Sequence, residues 1–197
     1  KLPINEALKK QIGRVGVLYG GLSAEREISL QSGAAVLAAL TDAGIEHVAI
    51  DVGHNIIADI QAANIDRAFL ILHGPGGEDG RIQALLEFLN IPYTGSDVQS
   101  SALAMDKLRT KQLWRGVDIN GKQGLSTPEF AVLDKHSDFA DVLARLGGEA
   151  MVKPANEGSS IGMSRVNSAA ELEIAFFKAA QYQGRVLVER LIVGGEY

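Results

Sequence analysis

The sequence predicts an α/β protein in two parts: an N-terminal parallel-sheet domain over residues 13–95 and a small α+β subdomain over residues 96–197. In the first part, short runs rich in Val, Ile and Leu alternate with longer helical patterns, the order of right-handed βαβ units on a parallel sheet. Beyond residue 96 the order becomes strand, helix, strand, loop, strand, helix, strand, with no internal repeat. Apolar residues make up 46% of the chain, which is enough to fill a core and argues against disorder.

Residues 14–19 (Arg-Val-Gly-Val-Leu-Tyr) read as a buried strand broken by Gly20-Gly21. The helix predicted next spans 27–42 and stops at Gly44. A second strand at 47–52, a short helix at 56–63 and a third strand at 67–72 follow. A helix at 81–90 then precedes a short fourth strand at 92–95. Residues 97–115 read as a helix in two pieces, and 116–127 as a loop. Strands fall at 129–133, 150–154, 161–166 and 185–191, with helices at 137–146 and 169–181. Residues 1–14 read as a mildly amphipathic helix.

Composition excludes several functions. The net charge of −5 argues against nucleic acid as a partner, which needs clustered Lys and Arg. Without cysteine there is no disulfide and no thiolate metal site. The longest apolar run, residues 34–40, is far too short to span a bilayer, so no membrane partner is expected. The start carries no apolar stretch of signal-peptide length. A soluble cytoplasmic protein is the expectation. The first residue is Lys rather than Met, and Gly194-Gly-Glu-Tyr197 reads as a connection into further chain; a fragment is therefore expected.

Four loops carry candidate chemistry, and three of them follow strands, where ligands bind in open parallel sheets. The first, Gly20-Gly-Leu-Ser-Ala-Glu25-Arg-Glu27, joins a strand to a helix. It lacks the G-x-G-x-x-G spacing of a dinucleotide site and places carboxylates where a pyrophosphate would sit. Like charges about 4 Å apart repel by roughly 4 kcal/mol at an effective dielectric near 20, so these acids suit an ammonium. Equally, Ser23 capping the helix and the acids complementing its dipole would account for the pattern. The second loop, His73-Gly-Pro-Gly-Gly-Glu-Asp-Gly80, has glycines that let backbone approach a ligand; a turn with Asp79 capping the next helix accounts for it as well. The third, Met105-Asp-Lys107-Leu-Arg-Thr-Lys111, read alone, is better taken as solvated helix surface. The fourth, Val152-Lys153-Pro-Ala-Asn-Glu157-Gly158-Ser159-Ser160-Ile-Gly162, sets a strand lysine before a Gly/Ser loop able to wrap anionic oxygens. It is not a Walker A loop. The segment 186–192, carrying Glu189, followed by Glu196 and read as an edge strand, could hold a purine and a ribose hydroxyl; a plain hairpin with a surface acid is the alternative.

In this order and spacing the four loops resemble the D-alanine–D-alanine ligase family of the ATP-grasp superfamily, from about residue 14 to residue 197. The resemblance implies a pre-ATP-grasp, Rossmann-like N-terminal domain that binds substrate, then a central ATP-grasp subdomain, with the C-terminal part of the family fold absent. It implies ATP-dependent ligation of two D-alanines through a D-alanyl phosphate for peptidoglycan synthesis. Glu25 matches the residue that holds the ammonium of the first D-alanine, His73 one that orients it, and Ser159 a serine networked with that glutamate. Lys107 and Lys153 match the lysines that neutralise ATP phosphates. Residues Glu157, Gly158, Ser159 and Ser160 match the loop that closes over them. Glu189, Arg190 and the backbone of Ile192 match adenine contacts, and Glu196 the ribose contact. Arg190 replaces a lysine found in many relatives, and 118–126 looks longer than usual. Mg2+ or Mn2+ is implied, with its ligands in the absent part, so no metal ligand is assigned here and the chain alone is expected to be inactive. A homodimer is implied too. A D-alanine–D-lactate or D-alanine–D-serine ligase, and a non-catalytic nucleotide or amino-acid binding fragment, remain open at this point.

Overall fold

The computed structural model describes residues 5–195 apart from Ser159 and Gln183. The chain divides into two compact units, Lys1–Ala102 and Leu103–Tyr197.

The first unit contains α1 (Glu6–Ile12), β1 (Val15–Gly20), α2 (Arg26–Ala43), β2 (His47–Val52), α3 (Ile56–Ala63), β3 (Arg67–Leu70), α4 (Arg81–Phe88) and most of α5 (Val98–Met105). Its sheet is parallel with order β2-β1-β3. Because β1 is central and covered on both faces, its side chains are apolar in both directions. Leu18 packs with Ile50, Ile60 and Leu86 on one side, whereas Val15 and Val17 pack with Ile45 and the α2 residues Val36, Leu37 and Leu40 on the other. Gly33 lets α2 approach the sheet, since a Cβ there would lie 2.6 Å from the Tyr19 ring. Ser29 ties α2 to the strand ends: its hydroxyl donates to the Ile71 carbonyl at 2.6 Å and accepts from the Gly20 N–H at 2.8 Å.

The second unit contains α6 (Lys107–Gly116), β4 (Asp118–Ile119), β5 (Lys122–Gln123), β6 (Phe130–Leu133), α7 (Phe139–Arg145), β7 (Ala150–Pro154), β8 (Ser164–Val166), α8 (Ala169–Ala179) and β9 (Val186–Arg190). Its main sheet is antiparallel with order β6-β9-β7-β8. One face buries Ala150, Val152, Val166, Val186 and Val188 against Leu143, Leu172 and Phe176 of α7 and α8. On the other face Leu187 packs with Leu108 of α6, Ala155 and Phe130. Strand alternation therefore sends Lys153 and Glu189 to the α6 side.

Three expectations need correction. The strand predicted at 92–95 is a single parallel bridge, Ala68 with Tyr93, beside the three strands; Pro92 and Gly95 shorten it. The stretch read as a loop at 116–127 holds a two-residue hairpin, β4–β5, turned by Asn120 (φ 55) and Gly121 (φ 78), the Asn-Gly type I′ turn that matches strand twist. Finally, β9 is not an edge strand but lies between β6 and β7.

Candidate functional site

Within the second unit, α6, the segment 126–128, β7 and β9 enclose a cleft of ≈ 380 Å³, within the usual range for small-molecule sites. Lys107, Lys111, Lys153, Glu189, Trp114 and Thr127 line it. Asp106 caps α6 by accepting from the Arg109 N–H at 3.0 Å, and this start fixes which helical face meets the sheet. Lys107 and Lys111 are four residues apart and share that face.

Glu189 is the electrostatic centre of the cleft. Met151 pairs directly with Glu189, so Lys153 lies diagonally across the same face, within reach of a long side chain. Lys153 pairs with Glu189 Oε1, and Lys111 Nζ sits 2.7 Å from Glu189 Oε2. Lys111 also donates to Thr127 Oγ1 at 2.6 Å and approaches the Pro128 carbonyl at 3.5 Å. Its ammonium lies 5.3 Å from the Phe130 ring centroid, a cation–π distance. Burial alone would raise the Glu189 carboxyl; hydrogen bonds from Lys111 and Lys153 outweigh it and hold the group below the ordinary glutamate value. Burial first, and the field of Lys153 second, lower Lys107 below the ordinary lysine value. Lys107 Nζ donates to the Glu157 carbonyl, which tethers α6 to the Gly/Ser loop. In that loop Ser160 is held at φ 62 and Gly162 at φ 69.

In the first unit the two sequence-flagged loops meet. The Ser23 hydroxyl donates to the His73 carbonyl at 2.7 Å and accepts from the Glu25 N–H at 3.1 Å. Glu25 is 5% exposed, and a Cβ on Gly74 (φ 69) would lie 2.5 Å from its Oε2. His73 Nε2 is buried with no hydrogen-bond partner among the described residues. His73 also lines a mostly apolar cleft of ≈ 240 Å³ with Gly21, Val52, Ile56, Pro75 and Arg81. Glu25 does not line that cleft; it lies against Gly74 and Ser23.

Both parts of the chain match one family of known proteins. Residues 54–96 match the family profile described as D-ala D-ala ligase N-terminus, and residues 119–197 match D-ala D-ala ligase C-terminus. The chain belongs to the D-alanine–D-alanine ligase family. It is 58% identical over 188 residues to a D-alanine–D-alanine ligase of Pseudomonas putida, covering 95% of this chain and 57% of that protein. A ligase of the same name from Saccharophagus degradans is 58% identical over 186 residues, covering 94% and 57%. Among solved structures, a D-alanine–D-alanine ligase of Bacillus anthracis complexed with ATP superposes with a TM-score of 0.76 at 34% identity. That match covers 92% of this chain and 60% of the other. The chain thus spans about 57% of the length of the curated relatives it matches.

As a member of this ligase family, the chain presents its flagged residues in two groups. Lys107, Lys153, Glu157 and Glu189 come together in the second unit, and Glu25 and His73 belong to adjoining loops of the first. Ser159 and Glu196 lie outside the described residues. Gly158 and Ser160 sit in the turn that follows Glu157, and Ile192 is 65% exposed beyond β9. Arg190 faces away from Glu189, with its guanidinium beside Gly147, and its backbone N–H donates to the Glu129 carbonyl at 2.8 Å. Two local readings change. The Lys107–Lys111 helix is not solvated surface, since Lys111 is 7% exposed. Ser23 is not the helix cap: the cap position is Glu25, without a side-chain capping bond. Asp79 accepts from the Arg81 N–H at 3.3 Å and from the Gly76 N–H at 2.9 Å, while Gly80 takes the α4 cap position. Sequence reasoning missed Lys111 as a site residue. The signal was its four-residue spacing from Lys107, with Leu108 marking the buried side.

Proposed function

We propose that this chain carries the nucleotide-binding and first-substrate-binding parts of an ATP-dependent ligase that joins two D-alanines into D-alanyl-D-alanine for peptidoglycan. The observation that supports this best is the cluster of Lys107, Lys111 and Lys153 around Glu189 in one cleft. In this reading Lys107 and Lys153 grip the triphosphate. Glu189 and the backbone at 190–192 meet adenine, Glu196 meets the ribose, and residues 157–160 fold over the phosphates to exclude water. Glu25 holds the ammonium of the first D-alanine and His73 orients that substrate; Ser159, for which the family resemblance implies a supporting role, lies outside the described residues.

The γ-phosphoryl group of ATP passes to the carboxylate of the first D-alanine, giving D-alanyl phosphate and ADP. The amine of the second D-alanine then attacks the acyl carbon, and phosphate leaves as the peptide bond forms. Cations belong beside the transferring phosphoryl group because positioning and charge neutralisation carry most of its catalysis. A carboxylate belongs at the ammonium and away from the phosphates, which is the sign pattern of the two loops. Mg2+ or Mn2+ would act with the transferred phosphates, on ligands outside these 197 residues. On this reading the 197 residues alone do not turn over. A homodimer in the cytoplasm is the assembly and setting that fit such a ligase; no helix among the described residues is long and apolar enough to cross a membrane.

The test is phosphate release by the ligase completed to the length of its relatives, with ATP, Mg2+ and D-alanine, against D-lactate or D-serine as second substrate. Dependence on D-alanine alone is expected. Glu25→Gln should weaken use of the first D-alanine by orders of magnitude. Release that ignores D-alanine, or a Glu25→Gln variant with unchanged kinetics, would overturn the reading.

A further inference from the structure

The Lys153–Glu189 pair raises a question about nucleotide binding. A lysine meant for phosphate is here engaged with a carboxylate, and it must leave that partner to reach an anion. The two lysines on Glu189 are not equivalent. Lys111 has three acceptors, namely Glu189 Oε2, Thr127 Oγ1 and the Pro128 carbonyl, which saturates the three donors of an ammonium. Its side chain is 9% exposed. Lys153 makes its pair with Glu189 Oε1 and is 22% exposed at the cleft wall. Lys111 is therefore the fixed partner and Lys153 the one able to move.

We propose that Lys111 is a positioning residue for nucleotide binding: it stays on Glu189 as a permanent counter-ion, so that Lys153 can transfer from Glu189 to a phosphate without stranding a buried carboxylate. This rests on the reading of the cleft as the ATP site. Departure of Lys153 from a lone Glu189 would leave a buried, unpaired charge, which is strongly unfavourable. With Lys111 in place, Glu189 keeps a charged donor on Oε2 throughout, and its other oxygen becomes free to accept from a ligand amine. No covalent step is involved; the exchange is one acceptor for another at the Lys153 ammonium. Thr127 fixes Lys111 from the opposite side and so belongs to the same device.

The experiment uses the ligase completed to the length of its relatives. Steady-state kinetics with ATP and D-alanine are measured for Lys111→Met, Lys111→Arg, Glu189→Gln, Lys153→Met and the double variant Lys111→Met/Glu189→Gln. In Lys111→Met, Lys153 is held by Glu189, so KM for ATP should rise by at least about tenfold, one decade corresponding to about 1.4 kcal/mol. KM for D-alanine and kcat should stay within about threefold, and Lys111→Arg should recover most of the loss. In the double variant there is no carboxylate to neutralise, so its KM for ATP should match that of Glu189→Gln within about twofold. Thermal melts accompany each variant. If Lys111→Met does not fold, the double variant, which buries no lone carboxylate, still decides the matter by comparison with Glu189→Gln. If Lys153→Met raises KM for ATP while Lys111→Met does not, or if the double variant loses the product of the two single effects, the positioning role is wrong and the ATP reading survives. If Lys153→Met leaves ATP kinetics unchanged, the ATP reading itself falls.

Discussion

Replacing Glu189 by Gln tests whether the cleft is held together by charge. Glu189 is a strand residue whose side chain is 11% exposed and pairs with both Lys111 and Lys153. The substitution keeps the size and one acceptor but removes the charge. Lys153, at the cleft wall, can turn to water. Lys111, 9% exposed, cannot do so without losing Thr127. Removing one partner of a buried pair costs about 3–5 kcal/mol; the retained amide oxygen and the adjoining cleft bring the cost to or below the bottom of that range, so about 2–3 kcal/mol is expected. For a chain of this size that is a fall in Tm of roughly 4–12 °C. Urea unfolding of the 197-residue chain, followed by the fluorescence of Trp114 at the cleft, reads the second unit. The pH dependence supplies an independent sign. The folded-state carboxyl of Glu189 is lowered from 4.5, so its contribution is fully present above the unfolded value and is lost as pH falls through the folded value. Glu189→Gln should therefore flatten the acid limb of the stability curve while leaving the limb above pH 7 parallel to wild type. A variant within 0.5 kcal/mol of wild type, taking that as roughly the scatter of surface substitutions, with an unchanged acid limb, would refute the reasoning.

Three further outcomes are expected. Gly74→Ala imposes a side chain at φ 69 against Glu25 Oε2; left-handed strain of about 1–2 kcal/mol plus the clash should lower stability by about 2 kcal/mol or more in the first unit and raise KM for the first D-alanine, whereas a stable variant with normal kinetics would separate Glu25 from that loop. Because burial lowers Lys107 from 10.5, ATP affinity should begin to fall at a pH below the ordinary lysine value, and Lys107→Arg should push that fall to higher pH; coincident profiles would deny Lys107 a phosphate contact. Asp51→Asn breaks a bidentate pair with Arg26, with both bonds at 2.7 Å, but the partners are 39% and 44% exposed, so solvent screening should leave the thermal melt close to that of wild type, and a large fall in Tm would contradict that.

Much of the fold was legible because local chemistry and global packing agree. The strand at 47–52 and the helix at 56–63 need no tertiary information: one is an apolar run between turns, and the other has Asn55 before it and Asn64 after it. Legibility failed where short-range and long-range signals compete. Pro92 and Gly95 limit the fourth strand to a bridge. Asn120-Gly121 builds a hairpin inside a segment too polar to stand out. The position of β9 within its sheet depends on strand order, which single-strand patterns do not encode. The site shows the same division. Glu25, His73, Lys153 and Glu189 are visible as unusual residues in loop or strand contexts, whereas Lys107 and Lys111, read alone on their helix, pass for solvated surface. A basic residue on a charged helix reads as solvated until Thr127, Pro128 and Glu189 arrive from elsewhere in the chain to bury it.

The central claim is that the cleft of the second unit receives the nucleotide, and Trp114 offers a direct measurement. It is the only tryptophan in the chain, it lines the cleft and it is 40% exposed. ATP titrated into the 197-residue chain should change Trp114 fluorescence saturably, with ADP competing and with at least about tenfold weaker binding in Lys153→Met. A flat titration, or an equal response in Lys153→Met, would contradict the account.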